Sequence, residues 1–256
     1  MNALEIEDLS VRYGRTRVVE RVSLAVPQGR TVGLVGESGS GKSTIAAAAV
    51  GLVKPESGSI RVDGAEATGG SGAARAARRR MQLVFQDPFS ALDPLMPIGD
   101  SIAEALRATG RRWTRAERVA RVRELLAIVH LDPDRADEPP AAFSGGQRQR
   151  ITIARALAGE PSVLIADEVT SALDVSVQGA ILNLLRELQD RLGLSILFIS
   201  HNLAVVRYIS DEVCVMRHGR LVEAGPTETL LANPADPYTK ELLDAVPVLG
   251  ERMRFG

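Results

Sequence analysis

The chain has 256 residues, with Lys plus Arg 31 against Asp plus Glu 32, a formal charge of −1, 45% apolar residues and 4% aromatics. At about 150 residues per domain this is one large domain or a domain with a lobe, long enough to bury a full core and unlike a disordered or fibrous chain. No global basic field argues for wrapping nucleic acid or coating an anionic membrane, so any such partner must be met locally, and no nucleic-acid partner is expected. Only Lys42, Lys54 and Lys240 are lysines, so a lysine at a special position is informative. The single cysteine, Cys214, rules out an internal disulfide and any site built on several thiolates of this chain, and it fits a reducing compartment. The start MNALEIEDLSVRYG lacks the pattern of a signal peptide, and the longest apolar stretch, residues 45 to 53, is about half of what a membrane-spanning helix needs.

In chain order, alternating apolar segments at 3 to 8, 21 to 26 and 59 to 64 predict antiparallel strands. TVGLV (31 to 35) is a buried-strand run, followed by a Gly-rich loop and an Ala-rich helix from about 42 to 52. Further buried strands are expected at MQLVF (81 to 85), SVLIA (162 to 166), SILFI (195 to 199) and EVCVM (212 to 216). From Asp87 to Glu160 helical patterns near 98 to 109, 114 to 129 and 145 to 158 replace strands, so a helical lobe is expected to interrupt the sheet. The expected fold is α/β: a mixed, mainly parallel sheet, an N-terminal antiparallel β subdomain and an inserted helical subdomain. Residues 1–86 and 162–225 form the expected core, 87–161 the helical insertion and 226–256 a C-terminal extension. The arginine run Arg75, Arg78, Arg79, Arg80 reads as a solvated loop or helix face.

The strongest chemical signal is GESGSGKS: Gly36, Glu37, Ser38, Gly39, Ser40, Gly41, Lys42 and Ser43, with Thr44 following. It satisfies G-x-x-x-x-G-K-[ST] between a strand and a helix, the context the motif requires. Glycines let successive N–H groups point at phosphate oxygens, and the helix N-terminus adds positive potential. Lys42 reaches the β and γ phosphates, and Ser43 ligates magnesium. A Gly/Ser turn capping a helix is the rival reading, but it does not account for Lys42.

VLIADE (163 to 168) is an apolar strand ending in two carboxylates. Asp167 is placed to hold the magnesium and Glu168 to act as base or orienter of an attacking water. Alone, such a strand end would be two solvated acids; beside a phosphate loop the functional reading is preferred. His201 follows SILFIS at the C-terminal end of another expected parallel strand, where ligands of open α/β sheets bind, and is a candidate γ-phosphate contact. Gln86 follows MQLVF and precedes the helical lobe, so its amide is a candidate contact to magnesium or the attacking water. FSGGQRQR places Ser144, Gly145, Gly146 and Gln147 at the start of a helix, a second anion site about a hundred residues from the first. The two need not close on one nucleotide within one molecule, so a second chain is a candidate for the complement.

These residues, in this order, resemble the ATP-binding subunits of ABC transporters over essentially the whole chain. Tyr13 resembles the aromatic that stacks on adenine, GESGSGKS the Walker A loop, Gln86 the Q-loop, SGGQ the signature, VLIADE the Walker B strand, SALD at 171 to 174 the D-loop and His201 the switch histidine. FQDPFSALDP, SALDVSVQGAILNLL and the tail PTETLLANPADPYTKELLDAVP resemble the peptide and nickel importers within that family. The chain departs from them at Asp236, where His is usual, at Val169, where Pro is usual, and at Ala141 and Ala142, where His–Glu is usual. Some relatives carry a C-terminal cysteine cluster, which this chain lacks.

The resemblance implies a head-to-tail ATPase dimer, with ATP and Mg2+ between one chain's Walker A loop and the other's SGGQ. Lys42 and Ser43 hold the phosphates, Ser144 and Gly146 cap the γ-phosphate, Glu168 positions water and His201 stabilises developing charge. It further implies transmembrane permease subunits, a second ATPase chain, identical or different, a solute-binding protein met indirectly, and a peripheral position on the cytoplasmic face of the membrane. An accessory ATPase of a soluble complex, such as one degrading phosphonates, and other non-transport ABC ATPases stay open as alternatives.

Overall fold

The structure is a computed structural model that describes residues 1–244; the end of the 226–256 extension, residues 245–256, lies outside the described residues. Two sheets organise the α/β fold. The first is antiparallel, in the order β2-β1-β4-β5, and is built from β1 (Asn2–Tyr13), β2 (Thr16–Pro27), β4 (Ser57–Val62) and β5 (Ala65–Glu66). The alternation seen in the sequence is present in part: Leu4, Ile6, Leu9 and Val11 of β1 are fully buried and Glu7, Asp8 and Arg12 meet solvent, while Ala3 and Ser10 are buried as well.

The second sheet has the order β10-β9-β3-β8-β7-β6. Its strands are β3 (Thr31–Val35), β6 (Met81–Val84), β7 (Val163–Asp167), β8 (Ser195–Ser200), β9 (Glu212–Arg217) and β10 (Arg220–Pro226). The strands β9, β3, β8, β7 and β6 are parallel, and β10 closes the edge antiparallel to β9. Every residue of β3, β7 and β8 is buried, because helices cover one face and the antiparallel sheet the other. The two faces belong to two hydrophobic clusters: Leu34, Ile165 and Leu197 join the antiparallel sheet, while Val35, Leu164 and Phe198 join the helices.

Helices α1 (Lys42–Ala49) and α2 (Gly72–Arg79) precede β6. Helices α3 (Pro88–Ala91), α4 (Ile98–Ala105), α5 (Arg115–Ile128) and α6 (Gly145–Ala158) all come between β6 and β7, two strands that pair with each other. Helices α7 (Val175–Leu192), α8 (Leu203–Ile209), α9 (Thr227–Ala232) and α10 (Pro237–Asp244) follow.

Some elements differ from the sequence reading. The helix after the Gly-rich loop stops at Ala49, where Leu52 and Val53 both donate back to the Ala47 carbonyl, rather than running to residue 52. β10 has no buried-strand signature, since no residue of it is fully buried; its register comes from β9. The Gly/Ala/Arg stretch at 64 to 80 contains a helix, α2, whose start is capped by Ser71 accepting from the Ala74 N–H at 3.0 Å. Within the arginine run, Arg78 donates to the carbonyls of Ala67 and Gly69, and Arg80 pairs with Asp63 at 2.6 Å. Within the expected C-terminal extension, Leu230, Leu231 and Tyr238 are buried in the helical cluster.

Candidate active site

The phosphate loop joins β3 to α1, and its shape is enforced by sterics. Gly36 has φ 152°, and a Cβ there would sit 2.0 Å from the Met216 carbonyl oxygen on β9, so no other residue fits. At the other end Gly41 offers no side chain to cap α1, so the helix's first amides are left for a ligand. Behind the loop, the Gly219 N–H donates to the Ser40 carbonyl at 3.0 Å and the Glu37 N–H donates to the Tyr238 hydroxyl at 2.9 Å. Glu37, Ser38, Gly39 and Ser43 are exposed, Thr44 is half-buried, and Ser40, Gly41 and Lys42 are buried.

Lys42 curls over the loop. Its Nζ donates to the carbonyls of Gly36 at 2.7 Å and Glu37 at 2.8 Å and lies 3.4 Å from Ser40 Oγ. Burial lowers its pKa, opposed by the charges of Glu168, Asp167 and Glu37. An ammonium held by neutral carbonyls in a partly dry site exchanges them readily for phosphate oxygens, which pair charge with charge.

The two carboxylates at the end of β7 have different surroundings. Asp167 is buried, which pushes its pKa up; a hydrogen bond from Ser43 pulls the other way. Its Oδ1 is buried without a hydrogen-bond partner. Glu168 turns the chain out of the strand with φ 49°, a left-handed conformation uncommon for a non-glycine residue, and its N–H donates to the Ile199 carbonyl at 2.9 Å. Its Oε1 lies 3.1 Å from His201 Nδ1. His201 is held by its neighbours: the Asn202 N–H donates to Ser200 Oγ, and Asn202 Oδ1 caps α8.

The structure thus brings Lys42, Ser43, Asp167, Glu168 and His201 together at the C-terminal ends of β3, β7 and β8, which are neighbours in the order β3-β8-β7. Gln86 donates to Ser171 Oγ at 3.2 Å, and that hydroxyl donates to the Glu168 carbonyl at 2.9 Å. Its amide therefore reaches the Glu168 main chain, and neither carboxylate directly, through Ser171, a residue of the 171 to 174 string that carried no individual role in the sequence. Tyr13 is half-exposed at the end of β1, paired with Thr16 across the turn.

Ser144 and Gln147 form a reciprocal cap at the start of α6: the Ser144 N–H donates to Gln147 Oε1 at 3.0 Å, and the Gln147 N–H donates to Ser144 Oγ at 3.4 Å. Ser144 is exposed. Gly146 is buried against α7, where a Cβ would lie 2.4 Å from Val177 Cγ1, and a Cβ on Gly145 would lie 3.6 Å from Leu173 Cδ2. The signature thus leans on the segment that follows Glu168 in the same chain. Ala141 and Ala142 lack polar side chains, yet their turn is fixed by Arg148 Nε donating to the Pro140 and Phe143 carbonyls and by Arg135 donating to the Ala142 carbonyl.

Sequence reasoning missed Tyr238 and Gly219, which buttress the loop from behind. Gly219 offered a turn signal only; Tyr238 offered none, because it meets Glu37 across 201 residues of chain. Cys214 is buried, its thiol pushed up to about 12 by burial, so it supplies no nucleophile.

A parallel sheet whose strand ends gather a phosphate loop, two carboxylates and a histidine defines a P-loop ATPase. The chain belongs to the ABC transporter family, whose pattern, described as "ABC transporter", matches residues 19–171. A second pattern, described as "Oligopeptide/dipeptide transporter, C-terminal region", matches residues 222–255. Similar proteins include one named "Putative peptide import ATP-binding protein" from Brucella ovis, 51% identical over 237 residues, covering 92% of this chain and 74% of the relative. Another of that name from Brucella abortus is 52% identical over 233 residues, covering 90% and 70%. Among solved structures, cbiO1 from Clostridium perfringens, described as part of the ABC transporter complex cbiONQ, superposes with a TM-score of 0.82 at 29% identity, covering 91% of each chain. The ATP-binding cassette MJ0796, a dimer in a post-hydrolysis state with ADP and Pi, gives 0.77 at 27% identity, covering 88% of this chain and 98% of that one.

Proposed function

We propose that this ATPase is the motor subunit of an importer, binding MgATP between two head-to-tail ATPase chains and powering uptake of peptides, nickel or a related small solute through partner permeases at the cytoplasmic face of the membrane. The match over residues 222–255 and the names of the relatives support the peptide class of solute. No helix among the described residues is long and apolar enough to cross a membrane, which agrees with a translocation path supplied by other chains.

The observation that carries the chemistry is the Glu168–His201 pair, 3.1 Å apart on adjacent strand ends and facing the Lys42 charge. Lys42 leaves the loop carbonyls for the phosphates, and α1's open amides bind the same oxygens. Glu168 accepts a proton from water as its oxygen bonds to the γ-phosphorus and the bond to the bridging oxygen breaks. His201 steadies Glu168 and donates toward the charge that grows on the phosphoryl oxygens. The orphaned Asp167 Oδ1 beside Ser43 suits a hard, oxygen-ligated Mg2+, with Gln86 as a further candidate ligand. Bound there, the ion neutralises charge on the phosphates. Ser144, Gly145, Gly146 and Gln147 serve the partner chain's nucleotide: a γ-phosphate takes over the hydroxyl that here caps α6. Tyr13 stacks on the adenine.

A groove of about 640 Å³ lies beside β6 and is lined by Val84, Phe85, Ala105, Thr152 and Arg155. Phe85 is half-exposed at this groove, where the helical insertion offers a permease an apolar foothold. The test is a gentle detergent pull-down of the chain from its native membrane with mass spectrometry of the companions. Two permeases and a second ATPase are the expected result; a soluble complex without permeases would replace the importer with an accessory ATPase.

A further inference from the structure

The residue that holds the phosphate loop from behind is Tyr238, and its surroundings are built for that contact. Its side chain is 1% exposed, and its hydroxyl accepts from the Glu37 N–H at 2.9 Å. The Arg217 guanidinium lies 4.5 Å from its ring centroid. The start of α10 is pinned from both sides. Asp236 Oδ1 accepts from the Tyr238 N–H at 2.8 Å, and Glu223 on β10 accepts from the N–H groups of Ala235 at 2.8 Å and Asp236 at 3.1 Å.

The far side of the same residue is held by the catalytic lysine. The Glu37 N–H donates to Tyr238, and the Glu37 carbonyl accepts from Lys42 Nζ at 2.8 Å and from the Ser40 N–H at 3.2 Å. When Lys42 turns to a phosphate it releases that carbonyl, which keeps only the Ser40 N–H of the same loop at 3.2 Å, and Tyr238 is then the contact that ties Glu37 to the fold outside the loop. A loop anchored there keeps its amides in the phosphate-binding arrangement; an unanchored loop must be reordered by the nucleotide at a cost in affinity.

We propose that Tyr238 is a positioning residue for nucleotide binding, through which the segment from β10 to α10 braces the phosphate loop and in turn senses its occupancy. The proposal rests on Gly36–Thr44 being the phosphate cradle. Coupling of this kind is reciprocal: what α10 does for nucleotide affinity, nucleotide does for the stability of α10.

The test uses the full-length chain and its Tyr238→Phe variant, which keeps the ring and its packing. The variant is expected to weaken MgATP binding roughly three- to ten-fold, the range for one neutral hydrogen bond, with the maximal hydrolysis rate of the assembled complex nearly unchanged. Amide hydrogen exchange supplies an independent readout: MgATP is expected to slow exchange across residues 235–244 in the parent and to lose that effect in the variant. Unchanged affinity together with unchanged nucleotide-dependent protection would overturn the proposal. A fall in maximal rate at constant affinity would also overturn it, because Tyr238 would then act on the chemical step. Lys42→Ala separates the underlying reading: if that variant binds MgATP as the parent does, the cradle assignment itself fails, whatever Tyr238→Phe does.

Discussion

Two adjacent carboxylates, Asp167 and Glu168, have been given opposite surroundings by one turn of backbone. Asp167 finishes β7 inside the sheet, where burial favours its neutral form, and its Oδ1 has no partner. Glu168 escapes into a left-handed conformation and finds His201. Their substitutions are expected to part accordingly. Above the raised pKa of folded Asp167 the charged carboxylate costs stability; as pH falls through that value the folded state takes up the proton first, and the cost disappears. Asp167→Asn is therefore expected to raise the melting temperature of the nucleotide-free chain at neutral pH while impairing Mg2+-dependent hydrolysis, with the thermal gain shrinking on acidification. Glu168→Gln is expected to retain ATP binding and lose hydrolysis by roughly 10² to 10⁴. Melting curves across pH and single-turnover hydrolysis check the pair; an Asp167→Asn chain less stable than the parent at neutral pH would refute the burial argument, and unchanged turnover in Glu168→Gln would remove it from the chemistry. At this scale the site was largely legible: loop, carboxylates and His201 each end a strand that announces itself, and a strand end of a parallel sheet is where ligands meet it. Tyr238 was not legible, because its partner is distant in sequence and a buried tyrosine looks like core.

Elements that carry their own signal were readable, and those shaped by neighbours were not. β3, β7 and β8 are buried on both faces, so their apolar runs are explicit. β10 exists because β9 offers it hydrogen bonds, and α2 because Ser71 caps an otherwise featureless Ala/Arg stretch. The packing of α6 on α7 belongs to the same class. Nothing in SGGQ says that Gly146 must be small for the sake of Val177, yet a Cβ would come within 2.4 Å of that side chain. Gly146→Ala is expected to destabilise the chain by about 1–3 kcal/mol through overpacking, and adding Val177→Ala is expected to restore most of it. Urea denaturation of the single and double variants measures this. If the double variant is no more stable than Gly146→Ala alone, the glycine is required for a reason other than α7.

On the proposed head-to-tail arrangement, the chain as a whole molecule carries one site that it uses itself and one that it offers. The phosphate loop faces its own Glu168, whereas Ser144 stands exposed at a helix start whose cap is satisfied internally. Ser144→Arg is expected to leave MgATP binding to the isolated chain nearly intact and to abolish hydrolysis that depends on assembly. The lost cap costs about 1 kcal/mol, small beside the stability of a folded domain. Collapse of binding in the isolated chain would refute the two-chain arrangement. The order of the central sheet also bears on how the molecule comes into being. β3 carries the phosphate loop, but its partners on both sides are β8 and β9, the strands at 195–200 and 212–217. During synthesis the loop's supporting strand leaves the ribosome well before β8 and β9 can enclose it, and until then both of its hydrogen-bonding edges are open to mispairing. Nascent chains that stop before β9 therefore leave β3 without one of its neighbours, so nucleotide binding doubles as a report that synthesis has passed β9.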